Sequence, residues 1–216
     1  HGEVLWRYAR HPVDKRTVWG SGGPALFGDT EVYQGFSDGT LVALQADSGK
    51  VIWEKKLRTR ERFGDIDMTP YVDEQRVVAS SFDGQVYCLD RLTGNTKWAF
   101  PVGSYSGFLV HDGQVFFGGL NQHFYALDLA TGHTVWKTPF AGGVSATPIL
   151  LRGSLVFPTS SDPVYLLNLK DGKVQTTVSL GAGAFATPVA SEEDGWWYAL
   201  SNYGNLYSFE LRQTIP

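Results

Sequence analysis

An all-β chain, folded as a β-propeller of about five four-stranded blades, is predicted by three observations. Turn residues interrupt the sequence every few positions, short alternating or apolar runs lie between them, and a strand–turn–strand unit ending in Gly-x-x-x-Trp recurs. Gly accounts for 25 of 216 residues, about 12% against a typical ~7%. The longest stretch free of Gly and Pro, Lys50 to Phe63, opens on an apolar run and keeps no helical period. Strands are expected at Glu31–Gly35, Arg76–Ser80, Gln114–Gly118 and Ser154–Phe157.

The repeat carries most of the information. Thr40-Leu-Val-Ala-Leu-Gln-Ala-Asp-Ser-Gly-Lys-Val-Ile-Trp53 is followed by Gln85-Val-Tyr-Cys-Leu-Asp-Arg-Leu-Thr-Gly-Asn-Thr-Lys-Trp98. The third copy is His123 to Trp136, and a weaker one runs from Pro163 to Thr176. Gly lies four residues before each Trp or its substitute, where a hairpin turn needs the positive φ that glycine adopts at little cost. Pro24, Pro70, Pro148 and Pro188 open a further strand ahead of a unit, a place where no ladder donor is lost. Four strands in roughly 40 residues is the period of a propeller blade.

The expected blades span about 23–67, 68–107, 108–146, 147–186 and 187–216, as one domain over 1–216. The fifth lacks its Gly-to-Trp strand, while Gly2 and Trp6 at the other end keep that spacing. A closing strand from residues 1–8, around Val4 to Tyr8, is therefore expected to complete the last blade. The alternative is a longer propeller cut inside a blade.

Composition excludes several classes. One Cys rules out a disulfide framework and any multi-Cys zinc or iron–sulfur site. A hydrophobic content of 43% is incompatible with disorder, and no run approaches a membrane span. Lys plus Arg is 18 against 22 Asp plus Glu, which leaves no footprint for nucleic acid.

Leu41-Val-Ala-Leu-x-Ala-x-Ser-Gly-x-x-x-Trp53 and Phe124-Tyr-Ala-Leu-Asp-Leu-Ala-Thr-Gly-x-x-x-Trp136 resemble the pyrroloquinoline-quinone-type propeller repeat over nearly the whole chain. Two groups share it: quinone-dependent dehydrogenases and the non-catalytic outer-membrane assembly factors of the BamB family. In that repeat the outer-strand Trp packs between adjacent blades, and strict spacing assigns the same role to Trp6, Trp53, Trp98 and Trp136. The dehydrogenases carry a vicinal Cys pair over the quinone and a bound Ca²⁺. Here Cys88 stands alone, where neighbouring repeats have Ala43 and Ala126, and reads as a small core residue. No cofactor and no catalytic residue is expected.

The segment Arg60-Glu-Arg-Phe-Gly-Asp65-Ile-Asp67-Met-Thr-Pro70 is similar to the acidic segment of the BamB family. The resemblance implies that Asp65 and Asp67 dock the periplasmic POTRA domains of the barrel-assembly protein. It implies the same for a neighbouring loop holding Arg16, Val18 and Trp19, where Val18 keeps an apolar residue. Arg16 stands where the family usually has Leu, and Trp19 where it usually has Arg. The family usually has eight blades against the five expected here. The resemblance also implies a periplasmic, outer-membrane-associated scaffold. The alternatives are a quinone-dependent dehydrogenase-like domain and a general periplasmic interaction propeller with another partner.

Other residues carry less. Asp65-x-Asp67 as a divalent-metal site lacks an evident third ligand. Asp38-Gly39, Asp83-Gly84 and Asp171-Gly172 are turn chemistry. His11, His111, His123 and His133 have no metal-ligand spacing, and the basic run Lys55 to Arg62 reads as a solvated strand edge. No local motif signals a catalytic triad or a phosphate-binding loop.

Overall fold

In the computed structural model, residues 2–10, 22–57, 64–82, 84–191 and 193–212 are described. Among them there is no helix, and the strands form five antiparallel sheets in chain order. The chain divides into two compact units, His1–Ser104 and Tyr105–Pro216.

The first unit holds two four-stranded sheets. One consists of β1 (Ala25–Phe27), β2 (Glu31–Gly35), β3 (Thr40–Gln45) and β4 (Val51–Lys56). The other consists of β5 (Tyr71–Val72), β6 (Arg76–Ser80), β7 (Val86–Asp90) and β8 (Thr96–Phe100). The second unit holds three. They are β9 (Leu109–His111), β10 (Gln114–Gly118), β11 (His123–Asp128), β12 (Thr134–Pro139); then β13 (Ile149–Leu151), β14 (Ser154–Pro158), β15 (Val164–Asn168), β16 (Val174–Val178); then β17 (Val189–Ala190), β18 (Trp196–Leu200), β19 (Leu206–Glu210). Pro24, Pro70, Pro148 and Pro188 each stand immediately before the first strand of a sheet.

Burial follows strand position. Leu41, Val42, Ala43 and Leu44 in β3 are buried on both faces, as are Phe124 to Leu127 in β11. Such strands read as continuous apolar runs because each face meets protein. The fourth strands are mostly exposed, and β4 and β8 each bury a single Trp, Trp53 and Trp98.

The third and fourth strands are joined by the expected glycine turn. The Gly49, Gly94, Gly132 and Gly172 N–H groups each donate to the carbonyl four residues earlier, at 2.8–2.9 Å, and all four glycines have φ between 66° and 74°. Asp90 and Asp128 stiffen two of these turns. Each accepts from the backbone N–H and the hydroxyl of the Thr three residues on, Thr93 and Thr131. A bulge follows at a repeated place, where the register shifts at Ala43/Leu44, Cys88/Leu89, Ala126/Leu127 and Leu166/Leu167. Ala43, Cys88 and Ala126 face Trp53, Trp98 and Trp136, whereas Leu166 faces Thr176, so a large residue always meets a small one. Cys88 is fully buried there, and burial pushes its thiol up to about 12.

The fifth sheet has three strands, β17-β18-β19, and residues 2–10 form no strand. The closing strand expected around Val4 to Tyr8 is therefore not among the elements. Those residues instead lie along the first sheet, held by side chains rather than by a ladder. The Trp6 indole N–H donates to Ala46 O at 2.9 Å, and the Tyr8 ring packs on Phe36 at 5.7 Å.

Candidate functional site

The segment Gly64–Met68 is anchored in the first unit by its middle residue. Ile66 is fully buried and its N–H donates to Phe36 O at 3.3 Å. Gly35, the last residue of β2, makes the room, since a Cβ there would lie 2.2 Å from Ile66 Cγ2. On the other side Asp65 O accepts from the Phe82 N–H at 3.0 Å, and Gly64 O accepts from the Ser81 hydroxyl at 3.3 Å. The segment is thereby clamped between the ends of β2 and β6, with Asp65 and Ile66 both buried.

This clamp recurs in the second unit. Val144 O accepts from the Ser160 N–H and Gly183 O from the Asn202 N–H, both at 2.9 Å, and Ser145 presses on Gly118 as Ile66 does on Gly35. Asp65 thus stands where the other loops carry Val144 and Gly183. The carboxylate is a property of this loop and not of the repeat.

The two carboxylates differ. Asp65 is fully buried, whereas Asp67 is half-buried. The neighbouring loop reaches the same place through its last residues. A Cβ on Gly22 would lie 2.5 Å from Asp67 O, and one on Gly23 would lie 3.2 Å from Thr69 Oγ1. The Gln34 side-chain amide fixes that approach by donating to Gly22 O at 2.9 Å. Arg16, Val18 and Trp19 lie outside the described residues, as do His11, Asp83 and the Arg58–Arg62 part of the basic run.

One cluster has no signal in the local sequence. Arg10 meets Asp38 and Glu54, both at 2.8 Å, and donates to Thr40 Oγ1 at 3.3 Å and Tyr8 Oη at 3.1 Å. Asp38, a turn residue by sequence, also accepts from the Thr40 N–H at 3.0 Å. Burial works against its ionisation, and the hydrogen bonds from Arg10 and Thr40 outweigh burial, so its carboxyl sits below the ordinary range. Arg10 is 28 residues away in sequence. Only the Trp6 spacing hinted that this segment has a fixed place. Among the described residues no group of three His, Cys, Asp or Glu side chains is placed to hold a metal ion, and no helix is long and apolar enough to cross a membrane.

Comparison with known proteins bears on the fold and the family. A family profile described as outer membrane protein assembly factor BamB matches residues 1–138. The outer membrane protein assembly factor BamB of Legionella pneumophila is 28% identical over 206 residues, covering 92% of this chain and 53% of that protein. The crystal structure of BamB from Moraxella catarrhalis superposes with a TM-score of 0.82 at 20% identity, over 97% of this chain and 64% of that one. A quinohemoprotein alcohol dehydrogenase from Pseudomonas putida superposes with a TM-score of 0.67 at 13% identity, over 88% of this chain and 42% of that one. These likenesses establish a propeller-like all-β fold. The chain spans about half the length of the curated relatives it matches. With the profile matching well over half of its residues, the chain belongs to the outer membrane protein assembly factor BamB family.

Proposed function

We propose that this chain is a non-catalytic scaffold in outer-membrane protein assembly, working in the periplasm at the outer membrane. Its five sheets act as consecutive propeller blades, and the loop 64–69 docks POTRA domains of the barrel-assembly protein. The observation that carries this reading is the Ile66 clamp. It holds one loop with a carboxylate that its counterparts lack, in a chain whose relatives are named assembly factors. Asp67 is the contact residue of that loop, and buried Asp65 positions it. Val18 and Trp19 add an apolar anchor from the adjoining loop, and Arg16 adds a charge. A few such residues carry most of the energy of a modest, partly polar interface.

Pull-down of a purified POTRA fragment tests the reading. Asp67→Arg is expected to weaken binding at least about tenfold, and Trp19→Ala to weaken it further, with the circular dichroism spectrum unchanged. Full binding by a folded Asp67→Arg variant removes this loop as the docking site. Titration with quinone and Ca²⁺ is expected to leave the Trp fluorescence unaltered, and saturable quenching with dye reduction favours a dehydrogenase instead.

A further inference from the structure

We infer that Gln34 is a positioning residue that holds the loop ending at Gly22 and Gly23 against the loop 64–69, so that the two present one preorganised docking surface. The part it plays in docking rests on the POTRA site proposed above at that loop. Its signal is a departure from the repeat. In the second strands of the other four sheets the place of Gln34 is taken by Ala79, Phe117, Phe157 and Ala199, which face Tyr87, Tyr125, Tyr165 and Tyr207 of the third strands. Gln34 faces Val42. Among the described sheets the first alone thus has an amide where the others are apolar, and an aliphatic residue where the others carry a phenol.

This swap moves a holding point. Residues that face each other across paired strands share one side of the sheet, so Gln34 and the tyrosines reach out from the same side. In the fourth and fifth sheets the tyrosine holds the loop that enters its own sheet, near the beginning of that loop. Tyr165 Oη accepts from the Ala141 N–H at 3.0 Å, and the Tyr207 hydroxyl donates to Leu180 O at 3.1 Å. Val42 has no polar side-chain group for this. Gln34 instead holds the entering loop of the first sheet at its other end, donating to Gly22 O at 2.9 Å, three residues before β1.

That end is the one that touches the loop 64–69. A Cβ on Gly22 would lie 2.5 Å from both Asp67 O and Met68 C, so the two loops meet backbone to backbone. The second hydrogen of the Gln34 amide goes to Gly35 O at 2.5 Å. Gly35 is the residue whose missing Cβ admits Ile66, the anchor of the loop 64–69. One side chain therefore bonds the backbone at both contacts, and with both hydrogens used its nitrogen has a fixed direction. A half-buried amide in place of an apolar residue costs stability unless its donors are satisfied, and here both go to the backbone that sets the distance between the two loops. Fixing that distance before a partner arrives lowers the ordering cost of binding.

Two variants of the 216-residue chain test this. Gln34→Met keeps the length of the side chain and loses the donors. Gln34→Ala with Val42→Tyr restores the pattern of the second sheet, where Ala79 faces Tyr87, and so keeps the fold by the repeat's own means. In both, amide hydrogen exchange at residues 22–23 and 67–69 is expected to rise at least about fivefold, and affinity for a POTRA fragment to fall by about the same factor. The urea midpoint of the double variant is expected to stay at the wild-type value. Unchanged exchange at these residues overturns the inference. Exchange that rises throughout the first unit together with a lower midpoint also overturns it, since Gln34 then only stabilises the sheet. So does full POTRA binding by both variants when Asp67→Arg binds poorly, since docking then needs no fixed distance between the loops. If Asp67→Arg also binds fully while exchange at the two loops has risen, the docking site is removed and Gln34 stands as the residue that sets the loops against each other.

Discussion

The Trp53 indole N–H donates to the backbone carbonyl of Arg91 at 2.7 Å, while its six-membered ring lies over Gly94, three residues further on. Trp6 stands in the same relation to Ala46 and Gly49, and Trp136 to Leu169 and Gly172. A single residue spacing therefore fastens an indole both to the carbonyl and to the glycine of the next turn. The glycine has two duties: its positive φ makes the turn, and its missing Cβ makes room for the ring.

Trp53→Phe is expected to keep the ring contact and lose the donor, leaving Arg91 O short of a partner at a cost of about 1 kcal/mol. Trp53→Ala removes the ring as well and is expected to cost about 3–5 kcal/mol. Urea unfolding of both variants separates the two contributions. No loss in Trp53→Phe would show that the indole N–H contributes nothing, and equal losses in the two variants would show that the ring contributes nothing.

Gly94→Ala and Gly113→Ala separate backbone strain from crowding. Both glycines have φ near 70°, but a Cβ on Gly94 would lie 2.8 Å from the Trp53 ring, whereas one on Gly113 has nothing within 4 Å. Gly113→Ala is expected to cost about 1–2 kcal/mol, the left-handed penalty alone. Gly94→Ala is expected to cost more by about 1–3 kcal/mol, since overpacking is added. Equal midpoint shifts would show that the Trp53 ring yields freely.

Arg91 also bonds the Glu31 carboxylate and lies 4.0 Å over the Phe27 ring. Burial works against ionisation of Glu31, and hydrogen bonds from Arg91 and Tyr33 outweigh it, holding the carboxyl below its ordinary 4.5. A carboxyl lowered in the folded state contributes stability that is fully present above the unfolded value and lost as pH falls through the folded one. Glu31→Gln is expected to cost about 2 kcal/mol at neutral pH. The gap from wild type is expected to narrow as the pH drops below 4.5. Denaturant unfolding at neutral and strongly acidic pH checks this, and a gap independent of pH would show that the charge is not what stabilises.

The Leu166–Thr176 pair inverts the sizes of the Ala43–Trp53 pair. Leu166→Ala alone is expected to cost about 2–5 kcal/mol, because the buried side chain leaves a cavity. Adding Thr176→Trp is expected to recover about 1 kcal/mol or more. A thermodynamic cycle with the two single variants measures that coupling, and strict additivity would show that position 176 does not read the size of residue 166.

The sequence by itself determined the strands, the turns and the indole contacts, because these depend on short-range spacing. β2, β6 and β10 run over the residues expected of them, and the four turn glycines take the positive φ that their place in the repeat demands. It also singled out Asp65 and Asp67, through the likeness of Arg60 to Pro70 to the acidic segment of the BamB family. What it did not contain was the difference between them. Asp65 is buried and Asp67 half-buried because Ile66 enters the space that Gly35 leaves, a contact across 31 residues that no local pattern encodes. The same holds at the beginning of the chain. The Gly2–Trp6 spacing suggested a strand of the fifth sheet, yet only the tertiary structure decided the place of these residues. Arg10 meets Asp38 and Glu54, and Trp6 meets Ala46, so side-chain bonds to the first sheet hold a segment that forms no strand. Spacing specifies which residues can occupy a motif, and long-range packing selects the partner against which they do so.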